Sequence, residues 1–489
     1  MTTDAATRYE AVIGIEVHIQ LKTRSKMFCG CNREYFDTSP NSHVCSVCLG
    51  MPGMLPVINE QAVAFTIQAG LALGCTIPPF AKFDRKNYPY PDLMKGYQIS
   101  QYDQPFCLGG ELEIEVDGQT KTVHLERIHL EEDTARLLHR DAGGETYALV
   151  DVNRSGSPLM ELVTKPDMHS GAEAAAFLRK LRQTMRYLGI ADADMEKGGM
   201  RCDANVSIRP RGVTTLGTRA EVKNMNSFRS VQRAIEFEIE RQAKVLDAGG
   251  TVVQETRGYV DATGETVSQR SKEEAHDYRY FPEPDLPPIL VDEAVIETIR
   301  ARMPELPGAR RARFERDYGL TPEESRTLTD SRERSDAYEA AVQVAGAAHA
   351  RPVALWFIGD VAKHLNELGV EAELGQTKAT PAHIGELTRL VQDGAITLST
   401  AKDVLDAVFE TGETPGAIVE ARGLRVVRDE GAIDALVAAA IEANPKAVTD
   451  YRAGKASAVG FLVGQVMREA KGRADANTVT DLIRRRLDG

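Results

Sequence analysis

Ile13, Ile15, Val17, Ile19 and Leu21 alternate with Gly14, Glu16, His18 and Gln20, and this period of two restricts the fold more than any other feature of the chain. A strand points successive side chains to opposite faces, so the aliphatics bury on one side and Glu16 and His18 share the other. Such a strand needs partners. Leu112, Ile114 and Val116 alternate up to Asp117-Gly118, a hairpin signal leading into a second strand, with Glu131, Glu132 and Asp133 following its apparent end. Residues 147–152 and 205–209 read as further strands. Residues 172–188 read as a helix with Phe177, Leu178, Leu181, Met185 and Leu188 on one face and Gly189 as a stop. Residues 228–246 read as another, after Ser227 as N-cap and before Gly249. The chain to about Asp292 is expected to be α+β.

Past Pro282-Glu283-Pro284-Asp285-Leu286-Pro287-Pro288 the pattern changes to helical punctuation. Thr380-Pro381 opens a helix that Gly394 ends; residues 400–409 (closed near Gly412), 432–443, 456–470 and 479–487 follow. Pro415-Gly416 reads as a turn dipeptide. The expected domains are 1–292 (α+β), 293–415 (all-α) and 416–489 (a small helical tail), a division that suits a length of 489 residues. The chain has no apolar run of about eighteen residues, the minimum for a membrane helix. Residues 1–8 are polar and lack the apolar core of a signal peptide, so a cytoplasmic location is expected.

A formal net charge of −13 argues against nucleic-acid binding, because phosphate contacts draw on Lys and Arg. The charge is uneven, however. Residues 451–489 carry Arg452, Lys455, Arg468, Lys471, Arg473, Arg484, Arg485 and Arg486 against Glu469, Asp475, Asp481 and Asp488, a local charge of +4. Such a patch suits nucleic acid. Composition alone fits a solvated helix face equally well.

Cys29, Cys31, Cys45 and Cys48 crowd together, which points to metal binding in a reducing compartment over a disulfide framework. Thiolates one or two residues apart can reach one tetrahedral Zn²⁺, and four ligands make a closed structural site. His43 is an alternative ligand, and free thiols are the competing reading. Glu161 lies inside the apolar run Pro158-Leu159-Met160-Glu161-Leu162-Val163, where a carboxylate is costly unless a metal or an Arg compensates it. With Glu16, His18, Glu131, Glu132 and Asp133 it forms an oxygen-rich set suited to Mg²⁺ or Mn²⁺. Taken singly, each acid also reads as exposed or ion-paired.

Four polar clusters are dense in functional side chains: Asp84 to Asp92, Arg201-Cys202-Asp203-Ala204-Asn205, Glu221 to Ser227, and Arg270 to Tyr280. Arg and Lys answer phosphate charge, and Asn or Asp orients hydroxyls and metals. Each cluster alone also reads as a solvated loop. No P-loop, Rossmann glycine turn or Gly-x-Ser-x-Gly elbow is present, so any ATP binds by other means.

Gly14-Ile15-Glu16-Val17-His18-Ile19-Gln20-Leu21, Asp84-Arg85-Lys86-Asn87-Tyr88, Gly96-Tyr97-Gln98-Ile99-Ser100-Gln101, Leu130-Glu131-Glu132-Asp133, Arg201-Cys202-Asp203-Ala204-Asn205-Val206-Ser207, Glu221-Val222-Lys223-Asn224 and Tyr278-Arg279-Tyr280-Phe281-Pro282-Glu283-Pro284-Asp285 resemble, in order, the B subunits of glutamyl-tRNA(Gln)/aspartyl-tRNA(Asn) amidotransferases. Pro89, Met94, Thr134-Ala135-Arg136 and Lys165 depart from that family's usual pattern. The archaeal-type E-subunit branch carries a large inserted domain, for which this length leaves no room.

The resemblance implies a glutamine-synthetase-like N-terminal cradle, then a helical domain, then a YqeY-like helical tail associated with tRNA. It implies a heterotrimer with an amidase A subunit that releases ammonia and a small C subunit. The implied activity is ATP-dependent phosphorylation and amidation of Glu-tRNA(Gln) or Asp-tRNA(Asn), a carbon–nitrogen ligase reaction. By position the Mg²⁺ site falls on His18, Glu132 and Glu161, with Glu16, Lys86 and Asp203 catalytic. Arg85, Asn205, Glu221, Lys223 and Asn224 are carried over as substrate- or nucleotide-binding, and the four cysteines as structural zinc ligands. A zinc-containing, non-catalytic tRNA-binding scaffold is the alternative.

Overall fold

A computed structural model describes residues 8–488 except 143–144, 272–277, 370, 427–429, 454, 456 and 471–473. Residues 272–277 of the fourth polar cluster, and Lys471 and Arg473 of the basic tail, therefore lie outside the described residues. The chain divides into two compact units, Met1–Leu306 and Pro307–Gly489.

The first unit is built on the alternating strand, which runs Tyr9–Gln20 and sits inside a nine-stranded sheet. Its neighbours, Pro158–Thr164 and Met200–Pro210, are both antiparallel to it. Beyond the first lies Gln119–Glu132; beyond the second lie Ala220–Lys223, Glu255–Val260 and Glu265–Ser271. Asp117 and Gly118 take φ of 52° and 75°, the doubly left-handed geometry of a two-residue hairpin, and join Glu111–Val116 to Gln119–Glu132. The Gln119–Glu132 strand continues through Glu131 and Glu132 instead of ending before them.

The odd-numbered aliphatics of the first strand are all buried, as alternation requires. They share one core with Phe177, Leu178, Leu181 and Met185 of the helix Gly171–Leu188 and with Val231, Ala234, Ile235 and Ile239 of the helix Phe228–Asp247. Ser170 and Ser227 cap these helices by accepting from Glu173 and Ser230 backbone N–H groups at 3.1 and 3.0 Å, and Gly189 closes the first with φ 71°. Two helices thus cover the apolar sheet face and leave the polar face for other work. The Pro-rich stretch is tied into this unit: Phe281 pairs with Arg85, and Ile289 with Ala81.

In the second unit Tyr338, Phe357, Leu387, Val404 and Val408 centre one helical core, and Val437, Leu462, Val466 and Ile483 centre another. The helix expected from residue 400 begins earlier, at Leu398, with Thr397 as its cap, and Gly412 closes it in the left-handed conformation. Pro415-Gly416 is not a turn. Thr414 caps a helix Pro415–Ala421 whose Ile418 and Val419 join the first of these cores. The Thr-Pro pair is the same cap-then-Pro signal as Thr380-Pro381, because proline at the first helical position sacrifices no hydrogen bond. No helix among the described residues is long and apolar enough to cross a membrane.

Glu238, wholly buried on the Phe228–Asp247 helix, joins that helix to the sheet. It accepts from Arg241 Nη2 at 2.6 Å, Gln242 Nε2 at 2.9 Å and Thr266 Oγ1 at 3.0 Å, and lies 3.3 Å from Arg257 Nε. Removing one partner of a buried charge pair strands the other, so Glu238→Ala is expected to cost about 3–5 kcal/mol, read as a lower urea midpoint. A loss below about 1 kcal/mol, typical of a surface pair, would contradict this anchoring role.

Candidate active site

Antiparallel register decides which polar side chains meet. His18 lies opposite Glu161, and Glu161 opposite His129, while Glu131 follows His129 by two and shares its face. His18 Nε2 is 3.3 Å from Glu161 Oε2 and 3.7 Å from Glu131 Oε1. His129 Nε2 is 3.3 Å from the same Glu161 oxygen and 3.8 Å from Glu131 Oε2. Ser100 Oγ donates to Glu131 Oε2 at 3.1 Å. The carboxylate in the apolar run is thus compensated by two imidazoles, not by an Arg. Burial opposes charge on both rings, but Glu161 outweighs it and both hold protons more tightly than free imidazole, His129 up to about 9. The same imidazoles keep Glu161 well below the usual carboxylate range despite its burial. His129 Nδ1 is buried with no hydrogen-bond partner among the described residues, so the proton of the neutral ring belongs on Nε2, facing Glu161.

Glu132 does not join this group. One residue along a strand reverses the face, and Glu132 Oε1 instead accepts from Lys95 Nζ at 2.5 Å and Ile99 N at 3.0 Å. It lines a cleft with Met51, Met54, Lys95 and Tyr97. The structure does not bring Glu132 to His18 and Glu161; it gathers ligand atoms of His18, Glu131 and Glu161 within 4.8 Å of one another. His129-Leu130-Glu131 repeats the spacing of Glu16-Val17-His18, and that signal was available in the sequence.

A second acidic group adjoins the first. Glu16, Asp203 and Glu221 bring carboxylate oxygens within 4.8 Å. Lys223 Nζ bridges Asp203 at 2.5 Å and Glu221 at 3.1 Å, Asn205 Nδ2 donates to Glu16 at 3.0 Å, and Thr256 Oγ1 donates to Glu221 at 2.9 Å. Burial, with Glu161, Asp203 and Glu221 nearby, raises the Glu16 pKa. Glu16, Asp203, Asn205, Glu221 and Lys223 therefore stand together. Asn224 follows with φ 65° and is exposed.

Lys86 Nζ lies 4.9 Å from the Tyr278 ring centroid and 5.9 Å from that of Tyr88. Burial works against its charge, but Glu131, Tyr280 and Glu161 prevail and hold its proton above the ordinary lysine range. Arg85, beside Lys86 on the strand Asp84–Asn87 and facing its other side, is spent elsewhere. Its Nε and Nη2 donate to Glu283 at 2.7 and 2.8 Å, and its guanidinium stacks 4.3 Å from the Tyr97 centroid.

The sulfurs of Cys29, Cys31, Cys45 and Cys48 lie within 4.8 Å of one another. His43 is not among them; its Nδ1 is 2.6 Å from the Glu34 carbonyl. Cys48 Sγ accepts from Cys45 N at 3.1 Å. Its neighbour Cys29, acting as donor, holds its thiol down to about 4, whereas burial lifts Cys31 to about 11. This quartet is able to hold a metal ion.

Known proteins match the chain along most of its length. Residues 11–297 match the GatB/GatE catalytic domain and residues 336–487 the GatB domain. The chain is 51% identical to the B subunit of the aspartyl/glutamyl-tRNA(Asn/Gln) amidotransferase of Dehalococcoides mccartyi (strain CBDB1), over 99% of each chain. It is 53% identical to the corresponding protein of Thermomicrobium roseum, covering 98% of this chain and 99% of the relative, and 50% identical to that of Geobacter sulfurreducens, covering 98% and 100%. These matches place the chain in the GatB/GatE class. The chain belongs to the family of aspartyl/glutamyl-tRNA(Asn/Gln) amidotransferase B subunits.

Thiolate coordination of cobalt gives intense near-ultraviolet charge-transfer absorption, so Co²⁺ added to the metal-stripped protein is expected to produce it, and Cys45→Ser with Cys48→Ser to abolish it. Undiminished absorption in the double variant would contradict a four-thiolate site.

Proposed function

We propose that this chain phosphorylates and amidates the side-chain carboxylate of Glu-tRNA(Gln) or Asp-tRNA(Asn), using ATP and ammonia supplied by an amidase A subunit in a heterotrimer with a small C subunit. The observation that carries the reading is the convergence of His18, Glu131 and Glu161 on the polar sheet face of a chain in this family. Two carboxylates and an imidazole form a hard, mostly oxygen donor set, and no Lys or Arg among the described residues makes an ion pair with either carboxylate. These residues fit Mg²⁺ or Mn²⁺, which when bound supplies charge to offset phosphate oxygens.

The chemistry follows from leaving groups. A carboxylate cannot expel oxide, so its oxygen first bonds to the γ-phosphorus as the bond to the β,γ-bridging oxygen breaks and ADP departs. Ammonia then attacks the acyl carbon, the carbon–oxygen bond to phosphate breaks, and the nitrogen loses a proton. Lys86, half-buried and cationic near Glu131 and Glu161, can attract the anionic groups of this sequence. Glu16, Asp203, Asn205, Glu221 and Lys223 line the adjoining part of the face as substrate contacts. Arg85 and Asn224 contribute no side chain to the group. The cysteine quartet, with its soft donors and closed count, is assigned to structural zinc. Exposed Arg452, Arg468, Arg484 and Arg485 on the terminal helices suit the backbone of structured RNA.

The test is ATP-dependent conversion of Glu-tRNA(Gln) to Gln-tRNA(Gln) by the chain with its A and C partners, ammonia as donor. Glu131→Gln and Glu161→Gln are each expected to lower turnover by roughly 100- to 1,000-fold, the scale of one lost transition-state contact, while tRNA binding persists. Full turnover in both variants would remove the cation site from the mechanism. No turnover even in the unaltered chain, with tRNA bound, would favour a scaffold.

A further inference from the structure

Arg201 lies opposite His18 in the strand register, so its side chain rises from the same sheet face. Its Nη2 donates to both oxygens of Asp133, each at 3.0 Å. Asp133 is buried and held in its own right: Gln20 Nε2, which is 3.0 Å from the Tyr35 hydroxyl, donates to it at 2.8 Å, and Arg154 Nε stands 3.6 Å away. This carboxylate is a fixed post.

Arg201 uses the post differently from the guanidiniums that serve the fold. Arg85 presents two nitrogens of its fork to Glu283, and Arg241 two to Glu238, the arrangement that satisfies a structural guanidinium. Arg201 commits a single nitrogen. Its Nε and Nη1 meet no protein acceptor among the described residues, and its side chain is 43% exposed above a carboxylate that is 3% exposed. A guanidinium anchored at one corner, next to a cation site, with two nitrogens unspent, matches what an oxyanion of tetrahedral phosphorus requires.

We propose that Arg201 grips the oxygens of the transferring phosphoryl group and then of the acyl phosphate, and that Asp133 is the positioning residue that aims it. The inference rests on the phosphorylation reading above. Arg201 exchanges no proton in the step: the substrate carboxylate oxygen bonds to phosphorus, the bond to the β,γ-bridging oxygen breaks, and ADP carries away the electron pair. The guanidinium offsets charge on oxygens that belong to neither bond, where it counts most in the transition state. Lysine can keep the ion pair with Asp133 but cannot reproduce the fork.

The experiment measures ADP formation from ATP and Glu-tRNA(Gln) without ammonia, by the chain in its complex, for the unaltered protein, Arg201→Lys, Arg201→Ala and Glu161→Gln. Melting temperature and Mn²⁺ binding, followed by electron paramagnetic resonance, are read in parallel. Arg201→Lys is expected to melt and bind Mn²⁺ like the unaltered chain yet form ADP roughly 100-fold or more slowly. Free guanidinium is expected to restore part of the rate to Arg201→Ala and none to Glu161→Gln. Unaltered ADP formation in Arg201→Lys and Arg201→Ala overturns the clamp alone. So does a loss in Arg201→Lys that tracks falling melting temperature or Mn²⁺ affinity, or one in Arg201→Ala that guanidinium leaves unrescued. If the unaltered chain forms no ADP, or Glu161→Gln forms as much as it does, the phosphorylation reading itself fails and the clamp falls with it.

Discussion

The register between the Tyr9–Gln20 strand and its two antiparallel neighbours decides which polar side chains meet on the sheet's polar face. It places His18 between Glu161 and Arg201, and Glu16 beside Asp203. The next pairing outward adds His129 opposite Glu161. A slip of one residue in any of these ladders would turn an acid or imidazole into the helix-covered core and a leucine or valine into the site. The aliphatic face therefore specifies the polar face. Burying Ile13, Ile15, Val17, Ile19 and Leu21 against two capped helices is what holds Glu16 and His18 in place.

Buried carboxylates in the first unit fall into two kinds. Glu238 and Glu283 are saturated by forked guanidiniums and serve the fold. Glu131 and Glu161 are as deeply placed but are met by imidazoles, which give up protons far more readily than Arg. Carboxylates compensated in that way remain available to a cation. Lys86 shows the converse: a half-buried ammonium among tyrosine rings, held charged by nearby acids. Such groups are costly to keep unless something charged is to be bound there.

Much of this was legible in local patterns. Strand alternation, the Ser227 cap, the Gly189 stop and the Asp117-Gly118 hairpin each act within a few residues and form as read, and the four closely spaced cysteines do come together. Glu131 and Glu132 were harder to separate. Consecutive acids differ only in which face they take, and that depended on the strand running on to Glu132, further than a polar ending suggested. Pro415-Gly416 looked like a turn because proline and glycine serve turns and helix starts alike; Thr414 as N-cap was the deciding residue. Arg201, Lys95 and Tyr278 belong to contacts far apart in sequence, with Asp133, Glu132 and Lys86, which no local pattern announces.

The claim at the centre of this account is that strand register builds one divalent-cation site from His18, Glu131 and Glu161. Anomalous diffraction at the manganese edge, from crystals grown with Mn²⁺ and ADP, tests it most directly. The account predicts a peak bonded to His18 Nε2 and to carboxylate oxygens of Glu131 and Glu161, with Glu132 still paired to Lys95. A peak coordinated by Glu132, or manganese found only among Glu16, Asp203 and Glu221, would contradict it.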